Sequence, residues 1–528
     1  METILYDTTL RDGAQTEGIS FSTEDKLRIA RRLDEYGIGY IEGGFPGSNP
    51  KDREFFERAA EMDWQQARIC AFGATRYKDR EVEEDPTVAA LLACPTPAVT
   101  IVAKCSRYQV EDVLETTIDE NLAMITETVA YLTQAGREVL VDAEHFYDGF
   151  WHDMGYTRAC LEAAAEAGAR WLVLCDTNGG SLPEQVAEAT RTASRWTNVP
   201  IGVHMHNDAD LAAANTIAGV ANGASQIQGT INGFGERCGN ANLTTLIPTL
   251  QLKLGRDCVS SDQLQKTTDV SRFVGELANV APDPYMAYVG QSAFAHKAGY
   301  HGSGVRKDAD AYQHIDPSIV GNESRIVISE LAGRSSIAER AQQLGLITNQ
   351  DLITAALAEV KSLEERGFQF EGAEASFHLL LHRLQDDYEA PFEFVDFLVL
   401  AETREGRDML SEAMVKIRVG DEIFQTASDG NGPVSALDRA ARKALERFFP
   451  ALEQTHLIDY KVRILDSTSA TDASVRVLIQ SSDGVSEWGT VGSSTDIIEA
   501  SWLALKDSYE YALLITGSSA SDLKEIEL

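Results

Sequence analysis

The chain has 528 residues, too many for one ordinary core, and its 44% hydrophobic and 24% charged content is that of a globular protein with two or three domains. A formal net charge of −36 argues against a nucleic-acid partner, whose phosphates need basic surface, but leaves room for an anionic metabolite held by a few local cations. No charged-then-apolar leader and no run of ~18 apolar residues occurs, so neither a signal peptide nor a membrane partner is expected, and seven cysteines without a CxxC pair suit a reducing, cytoplasmic location.

The first 250 or so residues alternate short apolar runs with amphipathic segments. Strands are predicted over 3–7, 38–44, 68–74, 98–104, 138–143, 170–176, 200–206 and 225–231. Between them, the first helix carries Leu27, Ala30 and Leu33 on one face, with Ser22 or Thr23 as N-cap. Further helices are expected near 51–62, 118–135, 154–168, 183–196 and 210–223. Eight strand–helix units in this length fit a (β/α)8 TIM barrel, with a doubly wound open sheet as the alternative. Helical patterns then dominate 260–380, which reads as a wholly α-helical connection.

The end of the chain repeats itself. Strand-like FEFVDFLVL (392–400), AMVKIRVG (413–420) and EIFQTASDG (422–430) precede a helical 432–449. LIDYKVRIL (457–465), ASVRVLIQS (473–481) and SEWGTVGSS (486–494) precede a helical 496–514. These are two βββα units of an α+β module. One helix covers only one face of a three-stranded sheet, so pairing the two units is expected to bury the other. The resulting division is a barrel over 1–258, a helical linker over 259–385 and a βββα-repeat domain over 386–528.

The polar clusters fall at the carboxyl ends of the predicted strands, the face on which such barrels carry their active sites. The first strand runs into Asp7, Arg11 and Asp12; this pairing is either a site for a cation and an oxyanion or an ordinary loop salt bridge. His204 and His206 end the seventh strand, and its period of two puts both imidazoles on one face. With Asp12 they make a two-histidine, one-carboxylate set suited to a divalent metal; otherwise they are polar residues on an exposed edge. NGFGERCGNANL (232–243) follows the eighth strand, where Asn240 either offers a metal its carbonyl oxygen or, like Asn242, caps a helix; Glu236 and Arg237 bring charge to the mouth. Glu42-Gly43-Gly44 ends the second strand, Asp142 and Glu144 the fifth, and Asp176-Thr177 the sixth. Thr177 can hydrogen-bond a carboxylate.

DTTLRDGAQ, HMHND and NGFGERCGNANL together resemble the three signatures of the isopropylmalate, homocitrate and citramalate synthases, metal-dependent TIM-barrel enzymes that condense acyl-CoA with a 2-oxo acid. SNPKDREFF, DAEHFYDGF, HIDPSIVGNESR and GFQFEGAEASF are most similar to the long citramalate-forming subgroup. The resemblance implies that Asp12, His204, His206 and Asn240 hold Mn²⁺, Mg²⁺ or Zn²⁺. It implies that Arg11 contacts the substrate's keto oxygen, Thr177 its carboxylate, and that Asp142 lies near its side chain. By the same likeness His301, paired with Glu144, is the general base, with Tyr312 as a supporting hydroxyl. Ser303 stands where isopropylmalate synthases carry an aspartate, as suits the citramalate subgroup. The implied activity is an acyltransferase joining acetyl-CoA to pyruvate in isoleucine biosynthesis. Isopropylmalate or homocitrate synthesis is the nearest alternative, and an amino-acid-binding regulator without catalysis a remoter one. The C-terminal repeat resembles the family's regulatory domain, which implies a homodimer with isoleucine as effector.

Overall fold

The computed structural model describes residues 3–47, 49–296, 312–326, 334–346, 349–403, 410–465 and 473–517. The chain forms two compact units, one reaching to Phe294 and including Ile315–Ser324, the other holding most of the remainder.

The first unit is a closed parallel barrel in sequential strand order. Its strands are β1 (Ile4–Asp7), β2 (Tyr40–Gly44), β3 (Arg68–Ala74), β4 (Ala98–Lys104), β5 (Glu138–Glu144), β6 (Trp171–Asp176), β7 (Ile201–Met205) and β8 (Ala224–Gly229), and β8 closes onto β1. The open-sheet alternative is thereby excluded. Alternate residues turn inward, and Tyr6, Tyr40, Cys70, Ala98, Leu140, Trp171, Val173 and Cys175 fill the interior. The opposite residues pack against the surrounding helices in the largest core of the molecule.

Those helices are α1 (Thr23–Tyr36), α2 (Pro50–Ala59), α3 (Pro86–Ala93), α4 (Ile118–Gln134), α5 (Phe146–His152), α6 (Met154–Glu166), α7 (Pro183–Ala193), α8 (Ala212–Ala221) and α9 (Leu243–Leu254). Helix α1 begins as its sequence requires. Ser22 Oγ accepts from the Asp25 amide and the Asp25 carboxylate accepts from the Ser22 amide. Leu27, Ala30 and Leu33 are buried, and Gly37, in the left-handed conformation, ends the helix. α10 (Ser261–Leu264) and α11 (Thr267–Leu277) belong to the same unit.

The connection is not wholly helical. β9 (Ala295–His296) pairs in parallel with β10 (Arg325–Ile326), a contact too short to leave a periodic signal. After it come α12 (Arg334–Gln343), α13 (Gln350–Glu365) and α14 (Glu374–Arg383). The repeat then follows as read: antiparallel β11 (Glu393–Glu402), β12 (Leu410–Val419) and β13 (Glu422–Gly430) with α15 (Pro433–Leu445), and β14 (His456–Ile464), β15 (Val475–Ser482) and β16 (Glu487–Ser494) with α16 (Ile497–Thr516).

Pairing of the repeats differs from expectation. The helix-covered faces of both sheets share one core, in which Val415, Ile417, Val477 and Ile479 meet Leu437, Ala441, Leu505 and Leu513. The outer face of the second sheet is covered by α13 and α14, with Leu478 and Val491 packed among Val360, Phe370 and Phe377. The outer face of the first sheet stays open, with Leu398 60%, Leu400 51% and Ile423 55% exposed. Each amphipathic helix buries its single apolar stripe against its own sheet and its fellow helix, which leaves it none for the outer face.

Candidate active site

The loop after β1 coils tightly. The amides of Arg11, Asp12 and Gly13 all donate to the Thr8 carbonyl, which turns Arg11 and Asp12 into the barrel mouth. Asp7 stays below as a buried brace; its carboxylate accepts from the Thr9 amide at 2.9 Å and the Thr9 hydroxyl at 2.8 Å. Burial pushes the Asp7 carboxyl up to about 7.

Arg11 Cζ lies over the Phe72 ring, 3.9 Å from its centroid. Its Nε donates to Glu42 Oε1 at 2.5 Å, and one terminal nitrogen is 3.5 Å from Asp12 Oδ2. Glu42 is fully buried and also accepts from Tyr6 Oη and, at 2.7 Å, from Thr8 Oγ1. Burial works against the guanidinium charge, but Glu42 and then Asp12 hold the arginine protonated.

Beside Arg11 four polar side chains converge. His204 Nε2 is 3.2 Å from His206 Nε2 and 3.3 Å from Asp12 Oδ2. Asn240 Nδ2 is 3.1 Å from Asp12 Oδ2 and 3.2 Å from His204 Nε2. Asp12, His204 and His206 form the one cluster of three or more metal-ligating groups among the described residues. The donor set fits a divalent ion, since it joins a carboxylate and two imidazoles in one buried spot. An orphaned atom strengthens the fit: Asn240 Oδ1 is buried without a hydrogen-bond partner, and turning the amide over brings that oxygen to the cluster.

The surroundings tune the set. His204 Nδ1 meets Gln228 Oε1 at 2.9 Å, and Gln228 Nε2 donates to Asp142 Oδ1 at 3.1 Å. With Nδ1 carrying the proton, the Nε2 lone pair of a neutral His204 faces the cluster. Burial opposes a charge on His204, but the hydrogen bond to Asp12 and then that residue's charge raise its proton affinity. Burial, followed by the charge of His204, lowers His206 to about 4 and keeps it neutral. Burial also opposes the charge on Asp12, but Arg11 and then His204 hold its carboxyl far below the usual range.

The glycine-rich segment delivers Asn240. Its backbone bridges that of His206, and the Asn240 amide donates to the Gly233 carbonyl. A Cβ on Gly235 would overlap the Asn240 side-chain oxygen, and Gly239 has φ +91°. Asn242, not Asn240, caps α9 by accepting from the Thr244 amide. Arg237 donates to Asp208 at 2.6 Å and to the Thr177 carbonyl at 2.8 Å, and lies 3.2 Å from His206 Nδ1.

On the far side of the mouth, Thr177 Oγ1 accepts from the His145 amide at 2.9 Å, which ties the ends of β5 and β6 together. Glu144 pairs with Lys104, the last residue of β4. Burial raises the Asp142 carboxyl to about 7, the Glu42 charge adding to it and His204 opposing it.

A model of HMGL-like proteins matches residues 2–274, one of the homocitrate synthase post-HMGL domain matches 288–367, and one of the LeuA allosteric (dimerisation) domain matches 371–513. An (R)-citramalate synthase of Aquifex aeolicus is 50% identical over 517 residues, which are 97% of each chain. The enzymes of the same name from Geobacter sulfurreducens and Streptomyces coelicolor are 48% and 45% identical, over 96% and 98% of this chain and 97% and 98% of their own. The chain belongs to the (R)-citramalate synthase family.

Within the barrel of this family member, Arg11, Asp12, His204, His206 and Asn240 meet at one point, and Asp142 reaches them through Gln228. Thr177 and Glu144 stand at strand ends of the same mouth. Tyr312 is exposed and belongs to the other compact unit. His301 and Ser303 lie outside the described residues. Three partners escaped the sequence reading in these roles: Glu42 under Arg11, Gln228 behind His204 and Lys104 beside Glu144. Each is polar at an inward position of a strand, which is the signal that could have found them.

Proposed function

We propose that the chain is an (R)-citramalate synthase, an acyltransferase that condenses acetyl-CoA with pyruvate and hydrolyses the thioester to release (R)-citramalate and CoA. The observation that carries this reading is the 50% identity to such an enzyme over 97% of the chain. The mouth of the barrel supports it, since cation ligands and an arginine are what a chelated 2-oxo acid requires.

A divalent cation at Asp12, His204, His206 and Asn240 supplies Lewis acidity toward the keto group. The other roles belong to side chains. Thr177 orients the pyruvate carboxylate, and Asp142 shapes the space around its methyl group. His301, oriented by Glu144 and supported by Tyr312, takes a proton from the acetyl methyl. The carbon so freed attacks the keto carbon, and the C–O electron pair moves onto oxygen. Arg11, fixed by Glu42 and Phe72, faces that growing negative charge, which is then protonated. Water finally cleaves the thioester and CoA leaves. The connection 259–385 contributes His301 and Tyr312 to this machinery.

The LeuA-type module 371–513 makes the enzyme a homodimer, and isoleucine is its feedback effector. Seven free thiols, five of them buried, support a cytoplasmic location. CoA release is to be measured with pyruvate, 2-oxoisovalerate and 2-oxoglutarate. The highest kcat/KM is expected with pyruvate, and a preference for either larger acid overturns the assignment. Initial rates against isoleucine and leucine test the effector, and insensitivity to isoleucine removes it.

A further inference from the structure

A second pair of histidines lies outside the barrel. His378 and His382 are four residues apart on α14 and share one face of that helix. Their Nε2 atoms are 3.1 Å apart, with ring centroids at 4.8 Å and planes tilted by 42°. Tyr511 of α16 packs edge-on against the His378 ring at 5.4 Å. Both imidazoles are half-buried.

Charged groups surround the pair, and burial is the largest influence on both rings. Arg340 of α12 acts on His378, and Asp387, in the turn after α14, acts on His382. Glu374, one turn earlier, is engaged by Arg325 and Arg340 at 3.2 and 3.3 Å. On α16, Asp507 and Glu510 are taken by Arg383, each at 2.7 Å. Burial lowers both histidines, His378 to about 4, so both rings are neutral at pH 7, the form that ligates metals.

Two neutral nitrogens at this distance either share one proton or direct both lone pairs at one ion. With Zn–N bonds of about 2.0–2.1 Å, cis nitrogens stand roughly 2.9–3.4 Å apart, which includes the observed spacing. We propose that His378 and His382 form a second divalent-cation site, separate from the barrel set. Paired imidazoles select a borderline transition ion such as Zn²⁺, Co²⁺ or Ni²⁺ over Mg²⁺. The ion bridges the last two turns of α14, next to the arginine that fastens this helix to α16.

Zinc bound per full-length, metal-stripped chain is to be measured by equilibrium dialysis. His382→Asn and His378→Gln are each expected to lose one equivalent relative to the wild type. A chain with His204→Ala and His206→Ala is expected to lose the other equivalent and to keep this one. A footprint on the wild-type chain needs no variant. Zn²⁺, but not Mg²⁺, is expected to slow diethylpyrocarbonate modification of His378 and His382, read by mass spectrometry. Unchanged zinc stoichiometry in both single variants, or a footprint indifferent to zinc, overturns the site and leaves an N–H···N hydrogen bond in its place.

Discussion

Arg11 shows how a charged residue is made useful inside a barrel. Phe72 shields one face of the guanidinium, Glu42 takes its Nε, and Asp12 stands at its side. The remaining donors are thus held in a fixed direction before substrate arrives. Arg11→Ala is expected to lower kcat by roughly 100-fold or more while the metal content is retained. Near-normal turnover, or loss of the metal, would contradict this role. Asp7, four residues earlier, has the opposite character. The Thr9 and Ile231 amides and the Thr9 hydroxyl stabilise its anion, but burial outweighs them and lifts its carboxyl from 3.8 in the free side chain to about 7. The raised value means that the fold favours the protonated form. Its stabilising contribution is complete below about pH 4 and is lost as pH rises through 7. Asp7→Asn, which stays neutral, is therefore expected to raise the melting temperature more at pH 8 than at pH 4. Melting curves across that interval check it, and a gain independent of pH refutes the assignment.

At the scale of elements, the strand-end rule made most of the site legible. His204 and His206 follow PIGV, so a period of two places both rings inward. Glu42 was harder to read because Tyr40–Gly44 is buried at every position and shows no alternation. Gln228 was hidden within a strand whose end drew attention to the glycines beyond it. Helix α3, PTVAALLA, was missed because it is short and apolar nearly all round, which leaves no helical period. The glycines after β8 carried a clear signal of close approach but not its target. That target is Asn240: any side chain at Gly235 competes with it for space. Gly235→Ala is expected to displace the amide and weaken metal binding by about 10- to 100-fold, the range seen when groups supporting a metal site are lost. Titration of the stripped protein with Mn²⁺ measures this. Wild-type affinity in the variant would show that Asn240 is dispensable.

At the scale of the whole molecule, the C-terminal repeat solves its covering problem unequally. The two βββα units are alike in sequence pattern, yet only the second has α13 and α14 over its outer face. The first exposes Leu398, Leu400 and Ile423 among charged neighbours, a face too apolar to be left in water without reason. A second copy of the same sheet covers it at no cost in new sequence, because a two-fold interface presents the same patch from both sides. The homodimer is therefore expected to form across β11 to β13. Leu398 and Leu400 are two residues apart on one strand face, so Leu398→Asp with Leu400→Asp places four carboxylates in that interface. Both side chains are already exposed in the single chain, so the doubly substituted subunit is expected to fold with an unchanged circular dichroism spectrum. Sedimentation velocity is expected to show the wild type as a dimer and the variant as a monomer. A variant that remains dimeric at micromolar concentration would move the interface to another surface and leave this open face unexplained.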